Sequence, residues 1–455
     1  MKRLLLMLAA VGMVFTACEG GSPDDETNGN PTEQPGENGG NENGDGDGNQ
    51  GGNDNPGGGN GEGNEGGEDV VTPTDKTQTI NFQDETTKQL CILNWDKNED
   101  GELSYEEAAA VTDLGTVFKG SSITTFNELK HFTGLTGIAD SAFDSCANLN
   151  EIEIPDSVTS IGVGAFASCE SLTSITIPNS VTEIGNNAFY GCTGELIIDS
   201  NALGLYGGSF TKLTIGNGVT SIGDNAFIRC SSLTSVTIGN SVTSIELAAF
   251  YKCSSLTSIT IPDSVISIGE SAFYGCSNLT SVTIGNSVTE IGNFAFSNCS
   301  SLTAFYGKPA SADNRCLIIN GVLRSFIPAG LTSYTIPNSV TSIGEQVFYN
   351  CSDLASVTIP DSVTSIEMEA FYKCSNLTSI TIPHGVTSIG NRVFCKCSNL
   401  ASVYCKATTP PSGDSSIFQN TASGIKIYVP TTSVSAYKSA SGWSIYATRI
   451  VGYDF

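Results

Sequence analysis

The chain has 455 residues, of which 20 are basic and 47 acidic, and its formal net charge is -27. A chain this acidic is poorly suited to bind nucleic acid or an anionic membrane surface, and we expect neither partner. Only two histidines occur, His131 and His384, and they lie far apart in the sequence. No general base is therefore indicated, and we expect no enzymatic activity.

The N-terminus has the pattern of an export signal. Lys2 and Arg3 precede an apolar stretch, residues 4–15, that is too short to span a membrane as a permanent helix, and FTAC follows it. Residues 1–17 resemble a lipoprotein signal peptide with Cys18 as the lipidated first residue of the mature protein, although Phe15 departs from the usual Leu or Val. The resemblance implies lipid anchoring at the bacterial outer membrane and cell surface. An ordinary secretory signal is the alternative.

The next segment, residues 18–75, consists mainly of Gly, Asn, Asp, Glu and Pro. Its acidic stretch at 22–26 resembles the signal that sends some lipoproteins to the outer face of the outer membrane. Residues 19–72 hold 14 of the 47 acidic residues and no Lys or Arg, so we expect a disordered acidic tether. From residue 126 onward there are 14 basic and 23 acidic residues, which is an ordinary acidic surface.

Residues 76–125 are predicted to form a small helical N-terminal cap that contains a calcium-binding loop. The twelve residues DKNEDGELSYEE place oxygen donors at positions 1, 3, 5, 7, 9 and 12 and a glycine at position 6, and they resemble an EF-hand or dockerin-type loop. Calcium prefers six to eight such hard oxygen ligands, so we expect a structural Ca²⁺ site of modest affinity. The alternative is a solvated acidic turn without metal. The predicted ligands are Asp96, Asn98, Asp100, the Glu102 carbonyl, Ser104 and Glu107.

Residues 126–405 repeat one phrase with a period of 23 residues, for example SLTSITIPNSVTEIGNNAFYGC, which begins at Ser171. Such a period indicates stacked units that bury their apolar residues against neighbouring copies. Within a copy, Ile175 and Ile177 lie on one side of a strand, with Ser174 and Thr176 on the other. A proline or glycine then turns the chain, and a second short extended run and a tight segment close the coil. The phrase IPxSVTSIGxxAFxxCxSLTSI resembles the leucine-rich repeats of BspA-like bacterial surface proteins.

That resemblance implies a curved solenoid on the cell surface that binds other macromolecules, often described as an adhesin. The predicted fold is a leucine-rich-repeat solenoid, mostly β, with parallel strands and 23-residue coils. Two interruptions, at 195–209 and at about 302–330, break the period, and we expect irregular coils there, with ligand-contacting loops as the alternative. Residues 406–455 leave the period and are predicted to form a C-terminal α/β cap with a strand at IKIYVP and a short helix after it.

Ten of the fifteen cysteines recur at one position of the repeat, where a small apolar residue is needed. We expect them to form a buried ladder of free thiols, because free cysteine packs as a small hydrophobic residue. A disulfide that involves Cys395 or Cys405 stays open.

The outward residues of successive strands form regular rows of hydroxyl groups that can both donate and accept hydrogen bonds. We predict that these rows bind an extracellular protein or glycan, and the plain alternative is that Ser and Thr simply suit exposed strands. A glycan-capturing or scaffolding lipoprotein of the cell's own envelope is the second functional hypothesis. We expect a monomer that contacts the membrane only through the lipid on Cys18. The predicted ligand-binding residues are Ser174, Thr176, Ser235, Thr237, Ser258, Thr260, Ser281, Thr283, Ser356 and Thr358.

Overall fold

The computed structural model describes residues 78–202 and 209–455, which lie within the unit Val71–Phe455. Two predicted segments, the signal peptide with Cys18 and the tether, lie outside the described residues. From Thr125 onward the chain winds into a parallel-strand β-solenoid of about 14 turns with coils of about 23 residues. The predicted solenoid is therefore confirmed.

Each regular coil contributes one strand to a first strand column, because the alternating sequence buries Ile or Val and exposes Ser and Thr. Val236 and Ile238, for example, point into the core, whereas Ser235 and Thr237 are exposed. The strands of the first column are Thr125–Phe126, Glu151–Ile152, Ser174–Ile177, Glu195–Ile198, Lys212–Ile215, Ser235–Ile238, Ser258–Thr260, Ser281–Thr283, Ala304–Tyr306, Ser333–Thr335, Ser356–Thr358, Ser379–Ile382, Ser402–Cys405, Lys426–Pro430 and Ile450–Tyr453.

A second column of short strands follows the Pro or Gly turn of each coil, as the sequence predicts. Its members pair in parallel and in register, so that Ser244 lies opposite Ser221 and Ser267. The strands of the second column are Gly137–Ile138, Ser160–Ile161, Glu183–Ile184, Ser221–Ile222, Ser244–Ile245, Ser267–Ile268, Glu290–Ile291, Ser342–Ile343, Ser365–Ile366 and Ser388–Ile389.

The third side of each coil is a turn segment that carries the repeat phenylalanine and cysteine. Phe250 stacks on Phe273 with ring centroids 5.2 Å apart and planes 7° apart, and Phe273 stacks on Phe296 at 5.4 Å. Backbone hydrogen bonds join successive turn segments, such as Phe250 N to Ala272 O at 2.7 Å. Each coil is therefore held by its two neighbours through both apolar packing and the backbone.

The first interruption still supplies a regular strand. Glu195–Ile198 pairs in register with Ser174–Ile177 on one side and Lys212–Ile215 on the other. The irregular coil expected at 195–209 is thus continuous with the first column over its first four residues. Residues 203–208 of this interruption lie outside the described residues.

The second interruption holds an antiparallel hairpin, Cys316–Ile319 with Val322–Phe326, in addition to the strand Ala304–Tyr306. Its turn is formed by Asn320 and Gly321, both at positive φ (52° and 79°), as a tight two-residue hairpin turn requires. The hairpin lies between two apolar clusters: Leu317 and Ile319 belong to the preceding one, whereas Leu323 belongs to the following one. The solenoid core therefore has two parts that meet at this hairpin.

The two ends of the described chain are closed by caps. At the N-terminal end the helix Glu85–Trp95 is capped by Asp84, whose side chain accepts a hydrogen bond from Thr87 N. A short helix, Tyr105–Ala109, begins within the last three residues of the predicted calcium loop at 96–107. At the C-terminal end the helix Val434–Ser439 follows the strand Lys426–Pro430, and the Trp443 ring is fully buried. The predicted helices and strand of both caps are present.

Candidate functional site

The predicted ligand-binding residues lie on the outward side of the first strand column, in two rows. One row contains Ser258 opposite Ser281, and the other contains Thr260 opposite Thr283. Ser174 and Ser281 are half-buried, and the other eight predicted residues are exposed. The structure therefore places these hydroxyls on the outward side of successive coils, eight of them before the second interruption and two after it.

A third row of threonines, next to the outward rows, has a different role. Thr234 Oγ1 donates to Thr211 O of the preceding coil at 2.8 Å, and Thr280 Oγ1 donates to Thr257 O at 2.9 Å. By contrast, within residues 78–202 and 209–455 the ten predicted hydroxyls have no protein hydrogen-bond partner. The inner threonines hydrogen-bond their coil to a carbonyl oxygen of the preceding coil. The outward hydroxyls are free to bond to water or to a ligand.

Tyrosines continue the outward threonine row, and the sequence-based prediction missed them. Tyr306 lies opposite Thr283, and Tyr404 lies opposite Thr381 on one side and Tyr428 on the other. The Tyr404 and Tyr428 rings stack at 4.8 Å with planes 12° apart, and Tyr453 contacts both edge-on at 5.6 Å. The period contains the signal for two of them, because Tyr306 and Tyr404 each lie 23 residues after a threonine of the row.

The N-terminal part of the same surface is charged. Glu195 and Lys212 occupy the row that holds serine elsewhere, and they lie opposite each other. Beside them is a shallow depression of about 340 Å³, which Glu170, Thr173, Glu195 and Lys212 help to line. The outward surface therefore changes from charged to hydroxyl-rich along the strand column.

The predicted calcium loop is built largely from bonds between its own side chains and its own backbone. Asp96 accepts from Glu99 N at 2.8 Å and from Gly101 N at 2.9 Å, and Asp100 Oδ1 accepts from Glu102 N at 2.9 Å. Gly101 has φ +85°, so this sharp bend favours glycine. The loop thus adopts an ordered turn that keeps its acidic side chains close to its backbone amides.

Glu107 reaches back from the last position of the loop to its first turn. Its carboxylate accepts from Lys97 N at 2.8 Å, from Asn98 N at 3.3 Å and from Ser104 N at 3.0 Å. Burial alone would raise the pKa of Glu107, but these hydrogen bonds outweigh it and hold the pKa below its ordinary value. The carboxylate is therefore kept ionised, as a calcium ligand must be.

The donor set of this loop fits a hard cation in its chemistry, since carboxylate, amide, hydroxyl and carbonyl oxygens are all available. In the described residues, however, no three Asp, Glu, His or Cys side chains converge as metal ligands. The carboxylates of the loop face its amides instead. Each of these carboxylate oxygens keeps a further lone pair, so the hydrogen bonds to the amides do not preclude coordination of a cation.

The repeat cysteines form the expected ladder of thiols. None of the 14 cysteines in the described residues forms a disulfide, so neither Cys395 nor Cys405 is bridged. The Cys276 thiol donates to Phe250 O of the preceding coil at 3.3 Å, and Cys253 to Phe227 O at 3.2 Å. Burial raises the pKa of Cys230 to about 11, so the reactive thiolate form is disfavoured even at this less buried position.

The two histidines show no catalytic arrangement. His131 packs edge-on against Tyr105 with ring centroids 4.7 Å apart, and burial lowers its pKa. His384 Nδ1 lies 3.8 Å from Asp361 Oδ1, and both side chains are largely exposed. Each histidine therefore has a packing or surface position in its own coil.

Comparison with known proteins identifies the repeat. The family model for the BspA type leucine rich repeat region matches residues 115–201, 196–311 and 324–440. No curated protein matches the chain. None of the helices in the described part of the chain is long and apolar enough to cross a membrane.

Solved structures with similar repeats come from several bacteria. A leucine rich cell surface protein from Faecalibacterium prausnitzii is 26% identical, with 68% of this chain and 86% of that chain covered and a TM-score of 0.40. A leucine-rich repeat protein from Bacteroides ovatus is also 26% identical, with 73% and 88% covered and a TM-score of 0.40. Since the family model matches well over half of its residues, this chain belongs to the BspA type leucine rich repeat family.

Proposed function

We propose that this protein is an adhesin-like binding protein of the bacterial cell surface that presents its solenoid to an extracellular protein or glycan and carries out no chemistry. The observation that supports this function most directly is the set of outward hydroxyls on the first strand column that no protein group uses. Repeat solenoids use such continuous surfaces for binding, and their family is generally non-catalytic.

The test is a binding screen of the purified chain against immobilised extracellular-matrix proteins and a glycan array. We expect saturable binding to at least one ligand and a clear loss of binding in the triple variant Thr237→Val, Thr260→Val, Thr283→Val. The triple variant Thr211→Val, Thr234→Val, Thr280→Val changes the inner row instead and serves as the matched control. Absence of binding, or equal binding by the outward variant, would contradict the proposal.

The second candidate is a glycan-capturing or scaffolding lipoprotein that serves the cell's own envelope. It is favoured by the hydroxyl content of the surface, because sugars offer hydroxyls that match it. Strong binding to glycans of the producing cell's own envelope, with none to matrix proteins, would favour this candidate over the adhesin.

We also propose that Cys18 carries a lipid that anchors the protein to the outer membrane. The supporting observation is the signal-like sequence before it. Cells that express the full chain should release it into the medium when Cys18 is changed to Ala. Labelled fatty acid should be found in the parent protein and not in the variant.

For the loop at 96–107 we propose that Asp96, Asn98, Asp100, the Glu102 carbonyl, Ser104 and Glu107 hold a structural Ca²⁺ ion. The ion would neutralise the acidic loop and stabilise the cap at the N-terminal end of the solenoid. Differential scanning calorimetry in about 1 mM calcium, a typical extracellular level, should show a higher melting temperature than in chelator. The Asp96→Ala variant should lose this difference, whereas Asp113→Ala, outside the loop, should keep it.

A further inference from the structure

We infer that the outward surface of the first strand column between Ser235 and Tyr404 binds an uncharged polysaccharide chain, with Tyr306 and the Tyr404–Tyr428 pair as stacking positions for sugar rings. This inference rests on the proposed binding function and names its ligand class. We call this surface the hydroxyl surface.

The hydroxyl surface is uncharged in a chain of formal charge -27. Its eight strands run from Ser235–Ile238 to Ser402–Cys405, and every outward position on them is Ser, Thr, Ala or Tyr. The charged pair Glu195 and Lys212 lies before this range, and Lys426 follows it. A surface without charged groups offers no compensation for a desolvated ionic ligand, so charge complementarity favours an uncharged partner.

Apart from Tyr306 and Tyr404, the same positions lack the anchors of a protein interface. The cores of protein interfaces are enriched in aromatic residues, Met and Arg and depleted in Ser, and Ser and Thr seldom act as binding hot spots. Here Ser and Thr fill most outward positions, and Arg, Met, Leu and Trp occupy none of them. A sugar chain is a better match, because its hydroxyls can pair with those of the protein as donors and as acceptors.

The tyrosines lie where a sugar chain that follows the threonine row would meet them. Thr237, Thr260 and Thr283 precede Tyr306, whose side chain is 46% exposed. In the second half of the solenoid three further threonines precede the stacked pair Tyr404 and Tyr428. Both runs thus end in an aromatic ring that combines an apolar face with a polar tip. The three threonines of the second run are Thr335, Thr358 and Thr381.

Tyrosines on the turn side of the repeat mainly pack one coil on the next, although Tyr349 there is 42% exposed. On the turn side, Tyr251 and Tyr372 are only 6% exposed, and they stack on Tyr274 and Tyr349 at 5.1 Å. Those rings use their faces to pack coil on coil. Tyr190, which is 58% exposed, also lies on the turn side, far in the repeat from the strand rows, and it provides a control.

The test is affinity electrophoresis of the full chain through gels that contain a β-glucan, a mannan or an arabinoxylan, all uncharged, or polygalacturonate, which is anionic. We expect at least one uncharged polymer to retard the protein. The retardation should be nearly the same at about 0.1 M and about 1 M salt, because screening weakens only charge interactions. The double variant Tyr404→Ala, Tyr428→Ala should bind about tenfold more weakly, and Tyr190→Ala should bind like the parent.

Tyr306→Ala provides a second variant in the other half of the solenoid, should the double variant fail to fold, and it should also weaken retardation. Retardation by none of the uncharged polymers, or equal retardation of the tyrosine variants and the parent, overturns the inference. Binding only to polygalacturonate or to a matrix protein overturns it as well but leaves the proposed binding function intact. A chain that binds none of these ligands overturns both.

Discussion

Polar side chains stabilise the repeat coils and the loop at 96–107 in opposite ways. In the coils they bond to the neighbouring coil, as Thr234 does to Thr211 O and Cys276 to Phe250 O. In the loop the acidic side chains bond to amides of the same short segment, as Asp96 and Glu107 do. The coils therefore depend on neighbours and little on charge, whereas the loop is locally self-sufficient and depends on its carboxylates.

The largest expected loss of stability comes from a substitution that breaks the packing between neighbouring coils. Phe273 is fully buried between Phe250 and Phe296, so Phe273→Ala should lower the free energy of unfolding by about 3–5 kcal/mol. Chemical denaturation monitored by circular dichroism measures this loss. Asn278→Ala, at an exposed position of the same coil, should change stability by less than about 0.5 kcal/mol. Equal effects of the two variants would mean that ring stacking does not hold the coils.

The second largest expected loss of stability is confined to the loop at 96–107. Glu107→Gln removes the charge that accepts hydrogen bonds from Lys97, Asn98 and Ser104, and it should destabilise the segment by about 1.5–3 kcal/mol. Amide hydrogen exchange should accelerate at residues 97–110 and stay unchanged in the coils beyond residue 160. Glu106→Gln alters the exposed neighbour in the same helix and should leave both regions unchanged. Faster exchange throughout the repeats would show that the loop is not self-sufficient.

A smaller effect separates the two kinds of threonine on one strand segment. Thr234→Val removes the bond to Thr211 O and should cost about 1 kcal/mol, whereas Thr237→Val removes no protein hydrogen bond and should be nearly neutral. Thermal unfolding of the two variants gives the comparison directly. A neutral Thr234→Val would remove the distinction between inner and outward rows.

The smallest effect is a pH dependence at the first coils. The Lys119 ammonium, 2.9 Å from Asp144, is the main cause of the lowered pKa of that carboxyl, whose ordinary value is 3.8. Because the folded pKa is below the unfolded one, this contribution is complete above about pH 4 and is lost as the pH falls through the folded pKa. Both side chains are partly exposed, so it should amount to only about 0.5 kcal/mol. Urea titrations of Asp144→Asn and the parent should differ more at pH 6 than at pH 3.

The sequence predicts the solenoid because every coil carries the same apolar residues at the same positions, and these residues pack against the coils before and after it. Ile175, Ile177 and Phe189 recur with the period, and the strands and ring stacks follow from that alone. The capping box at Ser104 and Glu107 is likewise a local sequence pattern. The proposed calcium ligands were recognised as a motif, but their bonds to loop amides depend on atomic positions that spacing does not specify.

One feature could not be predicted from the period. Thr234 and Thr237 are the same residue type three positions apart, and only the position of the neighbouring carbonyl decides which of them is bonded. The alignment of Tyr404 with the threonine row, by contrast, does follow from the period, because Tyr404 lies 23 residues after Thr381. The hairpin of the second interruption did have a local signal, the Asn320-Gly321 pair between apolar runs.

The near-identity of successive coils has a consequence for the gene. Unequal recombination between two copies of the coding repeat adds or removes whole coils in frame, and the Thr and Phe rows simply become longer or shorter. The hairpin at 316–326 interrupts this freedom, since each of its faces fits a different core. Strain-to-strain length polymorphism should therefore be concentrated on either side of the hairpin, and the hairpin itself should be inherited intact.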